Sequence, residues 1–286
     1  MIPTSFDYVR AGSLKDALNA LAVGDGTKVI SGGHSLLPIM KFRLAQPRRL
    51  VDISRLDELK GIEEKGRGAR IGAGTTYREL LESELLRERF PLVVEATETI
   101  GDLQVRNRGT VGGSLAHADP ASDMPAVMIA VDATFNLRSK GGKRSVKARE
   151  FFQGPFTTAL ADDELLTEII LPPLPSGAGS IYLSHDHPAS GYAIVAVAAV
   201  VARKRKTVSH AVAALTGVGE VAFLCRSVEE FLVGSQGEPE AIARVAAQAT
   251  AGIEVNGDSY APAEYRRHLA EVMTRRALTK ALERAG

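Results

Sequence analysis

Adjacent glycines occur twice in this chain beside small polar side chains, in Ser31-Gly32-Gly33-His34-Ser35 and in Thr110-Val111-Gly112-Gly113-Ser114. A glycine pair removes two Cβ atoms from the backbone surface, so N–H groups can approach an anionic oxygen, and the flanking hydroxyls and imidazole add donors. Phosphate binding is the chemistry this pattern suits. Two such segments could grip one pyrophosphate from opposite sides. A third stretch, Gly72-Ala73-Gly74-Thr75-Thr76-Tyr77, begins like a dinucleotide fingerprint. Tyr77 stands where the last glycine belongs, and no acidic residue ends a strand about 20 positions on. It therefore reads as a tight strand-to-helix turn that can still border a ligand.

The single cysteine, Cys225, rules out an internal disulfide and the thiolate sets that hold zinc or an iron–sulfur cluster. It reads as a small apolar filler, with a reactive thiol as the alternative.

The elements that must position the glycine pairs follow from local pattern. Ser13 with Asp16 starts a helix through Leu21, and Thr27 to Ser31 reads as a short buried strand, so the first pair sits at a strand's end. Arg48 to Ser54 and Gly68 to Gly74 are further strand candidates. Thr76 and Glu79 form a capping box for a helix to about Arg87. The second pair repeats the opening theme, glycines at a turn followed by a helix from about Ser122. Ile169 to Ser180, rich in proline and glycine, marks a domain boundary. Beyond it, two apolar strands flank the basic turn Arg203 to Lys206. The rest, from Ser227, carries helical periodicity, as in Ala241 to Ala251 and Glu264 to Arg284.

Composition narrows the class. With 286 residues, 45% of them hydrophobic, the chain can bury ordinary cores. Lys+Arg 35 against Asp+Glu 34 leaves a net charge of +1, so no global field draws it to nucleic acid or to an anionic membrane. The longest apolar run, Tyr192 to Ala202, is about half the length of a membrane helix and reads as a buried strand. The first residues lack a signal-peptide pattern, which makes the cytoplasm the expected location.

Four motifs in order, "SGGHSLLPIMKFR", "GDLQVRNRGTVGGSLAHADPASDMPA", "HPASGYAIVAVAA" and "AEYRRHLAEVMTRRAL", resemble the FAD-binding medium subunit of the molybdenum hydroxylases, the carbon monoxide dehydrogenase and xanthine dehydrogenase family. The resemblance covers nearly the whole chain. It implies an α+β fold: a two-subdomain, PCMH-like FAD-binding domain over 1–175 (about 1–57 and 58–175), then a C-terminal domain of antiparallel sheet plus helices over 176–286.

Carried over by position, Ser31, Gly32, Gly33, His34 and Ser35 with Thr110, Val111, Gly112, Gly113 and Ser114 would hold the pyrophosphate of a non-covalent FAD. Asp123 matches a position that hydrogen-bonds the cofactor, its alternative being an acid that favours a helix N-terminus. Leu166 matches an apolar residue beside the flavin, or is ordinary strand core. Tyr192 matches an aromatic that shields the isoalloxazine ring, or is a buried hairpin tyrosine. His185, Asp186 and His187 have metal-ligating side chains, but the resemblance puts them in a loop towards the flavin. Family members often carry a basic residue near Leu183, where this chain has "YLSHDH". Arg106 and Arg108 face the flavin or a partner, or are solvated turn charges.

The implied partners are a small subunit with 2Fe–2S clusters and a large molybdopterin subunit, in a dimer of heterotrimers. Electrons would pass through FAD to an external acceptor. Tyr265, Arg266 and Arg267 are candidates for a contact surface, or form a salt-bridged helix face. A self-contained FAD oxidase and a non-catalytic nucleotide-binding assembly protein are the other readings. No metal site and no membrane span are expected.

Overall fold

The computed structural model describes residues 1–286. The chain opens with β1 (Asp7–Arg10), α1 (Leu14–Leu21), β2 (Thr27–Ile30), α2 (Leu36–Lys41) and β3 (Arg49–Asp52). Ser13 caps α1 by accepting the Asp16 N–H, and Leu14, Ala17 and Leu21 form its buried face. That face packs with Val51 and Ile53 into a small core beside a parallel sheet of order β1-β3-β2. The apolar sequence of β2 predicts a buried strand. As an edge strand it is half-exposed instead, which leaves the loop after Ile30 at the surface.

Next come β4 (Ile62–Lys65), β5 (Gly68–Gly72), α3 (Tyr77–Glu82), α4 (Glu84–Arg89), α5 (Pro91–Thr99), α6 (Leu103–Arg108), α7 (Val111–His117) and α8 (Asp123–Ala130). They lead to β6 (Thr134–Ser139), β7 (Gly142–Lys147), α9 (Ala148–Phe151), β8 (Phe152–Gly154), β9 (Thr157–Thr158) and β10 (Leu165–Leu171). An antiparallel sheet of order β4-β5-β10-β6-β7 carries the helices and most of the core. The Thr76–Glu79 capping box starts α3 as expected. The helix stops at Glu82 rather than near Arg87, because Ser83 is extended and its hydroxyl caps α4 through the Leu86 N–H.

The last part comprises β11 (Gly179–Asp186), β12 (Ala193–Lys204), β13 (Thr207–Thr216), β14 (Phe223–Leu224), α10 (Arg226–Leu232), α11 (Pro239–Ala246) and α12 (Ala263–Arg284). Its antiparallel sheet runs β11-β12-β13-β14, and the β12–β13 hairpin turns at Arg205, whose φ is 60°. Ala196, Ala198 and Val200 of β12 join the core of the preceding part, while Val195, Val197 and Val201 pack under α10–α12. Burial on both faces explains why β12 reads as one continuous apolar run. Cys225 is buried in this second core, 4% exposed.

Arg266 corrects the sequence reading of a contact surface. Its guanidinium donates to the carbonyls of Ile194 (2.7 Å), Gly217 (2.5 Å) and Ala261 (3.2 Å) and pairs with Asp258 at 2.6 Å. It closes α12 onto the sheet and is not free to meet another chain. No helix is long and apolar enough to cross a membrane.

Candidate functional site

The half-exposed end of β2 turns through residues 31–35 into α2. Gly33 has a φ of 80°, a conformation that L side chains rarely adopt, and this bends the loop between β2 and α2. The backbone N–H groups of residues 31–36 have no acceptor within the protein. Such a run of free donors, beside the half-exposed Ser31 and Ser35 and the exposed His34, is suited to an anion.

The second glycine pair is not at a turn, as its sequence suggests, but inside the first turn of α7. Thr110 is the N-cap and its Oγ1 accepts the Gly113 N–H at 3.2 Å. Val111 and Gly112 donate to the carbonyls of Thr75 (3.0 Å) and Ala73 (2.9 Å), and Ser114 donates to that of Thr110 (3.1 Å). The Gly72–Tyr77 turn is thus a buttress, and it also takes up the Gly109 carbonyl through the Tyr77 N–H at 3.0 Å. Val111 and Gly112 are buried against it, whereas Gly113 is exposed. A methyl group on Gly112 would lie 2.6 Å from the Ala73 oxygen; one on Gly113 would meet only Thr110 Oγ1, at 2.7 Å.

The two segments come together. Thr110 Oγ1 lies 3.4 Å from Ser31 Oγ, and a Cβ on Gly32 would overlap the Arg108 carbonyl. The segment with the free N–H groups of 31–36 is therefore a direct neighbour of the segment that carries the exposed backbone of Gly113. A diphosphate suits the pair: donors come from the first segment, and the second contributes backbone without a side chain in the way.

From Gly113 the site continues through Ser114, whose Oγ is 2.9 Å from that of Ser122, to Asp123 at the start of α8. Asp123 is buried and accepts a hydrogen bond from the Tyr182 hydroxyl. Burial pushes its carboxyl up to about 7, with Asp186 and Asp119 adding repulsion against the lowering effect of Tyr182. An exposed acid at a helix end would be lowered by the dipole; here desolvation wins. Tyr77 is buried beside this group, its hydroxyl raised by burial, with Ser114 in hydrogen-bond contact and Asp123 and Tyr192 adding repulsion.

Tyr192 projects from the β11–β12 loop and is 47% exposed, so it is not the buried hairpin tyrosine its apolar neighbours suggest. Burial of the remainder, together with the carboxylates of Asp119 and Asp123, raises its hydroxyl. Leu166, by contrast, is only 5% exposed and belongs to the main core on β10, the strand α7 packs against. Arg106 folds back onto the carbonyls of Ile100 (3.1 Å) and Gly101 (2.7 Å) after α5, while Arg108 is exposed. His185 and His187 do not converge: the first faces the Tyr265 hydroxyl at 3.4 Å, the second packs against Tyr260 with the rings tilted by 56°.

Tyr182 and Thr216 escape a sequence reading. Thr216 Oγ1 lies 2.9 Å and 2.8 Å from the carbonyls of Pro120 and Ser122, and the Gly217 N–H reaches the Pro120 carbonyl at 3.0 Å. With Tyr182, they pin residues 119–123 from the sheet that follows residue 178. Residues 179–182 of β11 are all buried, so no alternation singles out Tyr182, and nothing local names its partner.

Comparison with known proteins identifies the family. Residues 4–174 match the family described as "FAD binding domain in molybdopterin dehydrogenase", and residues 182–281 match "CO dehydrogenase flavoprotein C-terminal domain". The chain is 40% identical over 285 residues to the carbon monoxide dehydrogenase medium chain of Hydrogenophaga pseudoflava, covering 99% of each. It is 39% identical over 277 residues to the glyceraldehyde dehydrogenase medium chain of Sulfolobus acidocaldarius, covering 97% of this chain and 98% of that one. Among solved structures, a chain of the Cu,Mo-CO dehydrogenase superimposes with a TM-score of 0.96 at 39% identity, over 100% of both chains. A chain of quinoline 2-oxidoreductase from Pseudomonas putida 86 does so at 0.94 and 32%, over 100% of this chain and 99% of that. Sequence and fold agree, and the chain belongs to the family of FAD-binding medium subunits of the molybdenum hydroxylases.

Proposed function

We propose that this chain is the electron-transfer subunit of a molybdenum hydroxylase, standing between the 2Fe–2S clusters of a small partner subunit and an external acceptor. The observation that carries the reading is the run of unpaired N–H groups over residues 31–36 beside the bare backbone of Gly113. A bound flavin supplies exchange between one-electron and two-electron carriers. The chain's own part is to hold it. Residues 31–36 donate to the diphosphate; Thr110, Val111 and Gly112 keep the opposite wall in place; Gly113 and Ser114 border it; Asp123 offers a buried carboxyl to the cofactor; Tyr192 covers the ring. Leu166 supports the strand beneath α7. The FAD-binding part ends near Ser176, and the part beyond it supplies Tyr192 and the groups that pin residues 119–123.

One cysteine cannot ligate a cluster, so the chain needs a cluster-bearing small subunit and a large molybdopterin subunit, in a dimer of heterotrimers. The substrate is selected outside this chain. Relatives of 39% and 40% identity are named for glyceraldehyde and carbon monoxide, which fits that division.

The test uses purified chain. It should carry one FAD, released into the supernatant by acid precipitation, and be reduced by dithionite without turning over aldehydes, purines or aromatic acids. Steady turnover by the chain free of molybdenum and iron would replace this reading with a self-contained oxidase.

A further inference from the structure

His187 is not among the residues that line the proposed FAD site and forms no metal cluster with its neighbours, yet its side chain is engaged through Nδ1 and one ring face. Its Nδ1 accepts the N–H groups of Ala189 (3.1 Å) and Ser190 (3.3 Å). Its own N–H donates to the Tyr192 carbonyl at 2.8 Å, and its carbonyl accepts the Gly191 N–H at 2.8 Å. The imidazole packs on the Tyr260 ring, with centroids 4.1 Å apart. Residues 188–191, which lead into Tyr192, are exposed; besides the His187 bonds they have Pro188, Gly191 at a φ of 71° and a long bond of 3.4 Å from the Tyr192 N–H to Ser190 Oγ. A nitrogen that accepts two N–H groups must itself be unprotonated, so the ring proton sits on Nε2. The arrangement is that of an Asx-turn, with histidine in the place of asparagine or aspartate.

We infer that His187 is a positioning residue for Tyr192: its Nδ1 and its packing on Tyr260 fix residues 188–191, and this sets where the Tyr192 side chain projects. The inference rests on the reading that Tyr192 covers the flavin. Tyr260 lies just ahead of α12, so the segment before that helix steadies the loop from outside.

The experiment compares FAD-loaded full-length chains carrying Tyr192→Ala, His187→Ala, His187→Asn and the double change His187→Ala with Tyr192→Ala. The readouts are the FAD release rate and the fluorescence of the bound flavin, which a covering tyrosine quenches. Tyr192→Ala sets the size of the cover's effect. His187→Ala should reproduce most of it, with release about five- to tenfold faster, as expected for losing one to two hydrogen bonds. His187→Asn should restore wild-type behaviour, because its Oδ1 accepts the same two N–H groups. In the double variant the His187 change should add nothing, since its effect passes through Tyr192.

An effective Tyr192→Ala with an unchanged His187→Ala overturns the inference alone. So does a His187→Asn that behaves like alanine, or a double variant with additive effects. A Tyr192→Ala that leaves both readouts unchanged removes the cover reading and this inference with it.

Discussion

The two glycine pairs look alike in sequence and do different work. In the first, Gly33 takes a φ of 80° and the N–H groups of residues 31–36 are left open. In the second, the N–H groups of residues 111–114 are all engaged inside the protein, and Gly112 is buried against Ala73. One segment supplies donors; the other supplies a packed wall with a single bare position, Gly113. The first glycine of each pair serves backbone packing, Gly32 against Arg108 and Gly112 against Ala73. Under the proposed function the shared motif combines a structural requirement with a binding requirement, and the two fall on different glycines.

The largest expected effect separates the two requirements. Gly112→Val would drive a branched side chain into the Ala73 backbone, whose oxygen is 2.6 Å from the first added atom. Overpacking a core costs about 1–3 kcal/mol where side chains can yield, and backbone yields less. Thermal unfolding of the FAD-free chain should show a marked loss of Tm. A Gly112→Val chain that melts like the wild type and has lost only FAD would erase the contrast between the segments.

Asp123 sharpens it next, because only the second segment borders a buried acid. Its carboxyl is raised from the usual 3.8 to about 7. Between those values the folded chain keeps a proton that the unfolded chain has released, so stability falls as pH rises through this window and levels off above it. From pH 5 to pH 8 the loss is about 2–3 kcal/mol. Asp123→Asn keeps an oxygen for the Tyr182 hydroxyl and removes the titration. Urea unfolding of FAD-free chains should show the variant gaining by that amount relative to wild type. A constant difference across the range would mean that Asp123 ionises normally.

What could be read from sequence was local. The caps at Ser13 and Thr76 and the β12–β13 hairpin depend on residues a few positions apart, and they fold as their spacing predicts. The helix at Val111–His117 was hidden because two glycines near its start argue against helix; the Thr110 cap and packing on Ala73 override that weak preference. The Tyr182–Asp123 bond joins distant parts of the chain, and neither residue carries a local sign of the other. Arg266 looked like one more charge on a polar helix face. Only the fold brings the Ile194 and Gly217 carbonyls to it.

A smaller effect is expected at Gly113, the bare position. A Cβ there meets nothing in the protein but the Thr110 hydroxyl, so Gly113→Val should cost at most about the 1 kcal/mol of that cap, well short of Gly112→Val. Where the diphosphate lies against this backbone, lost contacts to a charged oxygen cost about 1.5–3 kcal/mol, or about tenfold to a hundredfold in FAD affinity. Equilibrium dialysis against FAD measures this directly. Unchanged affinity would move the diphosphate away from α7.

The smallest effect concerns Thr110, whose side chain caps its own segment and reaches the other. Its Oγ1 accepts the Gly113 N–H at 3.2 Å and lies 3.4 Å from Ser31 Oγ. Thr110→Val keeps the shape and removes the hydroxyl, leaving the helix N-terminus uncapped at a cost of about 1 kcal/mol. Thr110→Ser keeps the hydroxyl and should retain that stability. The contact to Ser31 is long and adds little to the fold, but it sets how closely the open loop approaches the wall. FAD affinity should therefore fall several-fold in Thr110→Val beyond what a cap alone explains, and Thr110→Ser should bind normally. A Thr110→Val chain that loses stability but keeps its affinity would show that the segments are held together by Gly32 against Arg108 alone, with the hydroxyl serving only α7.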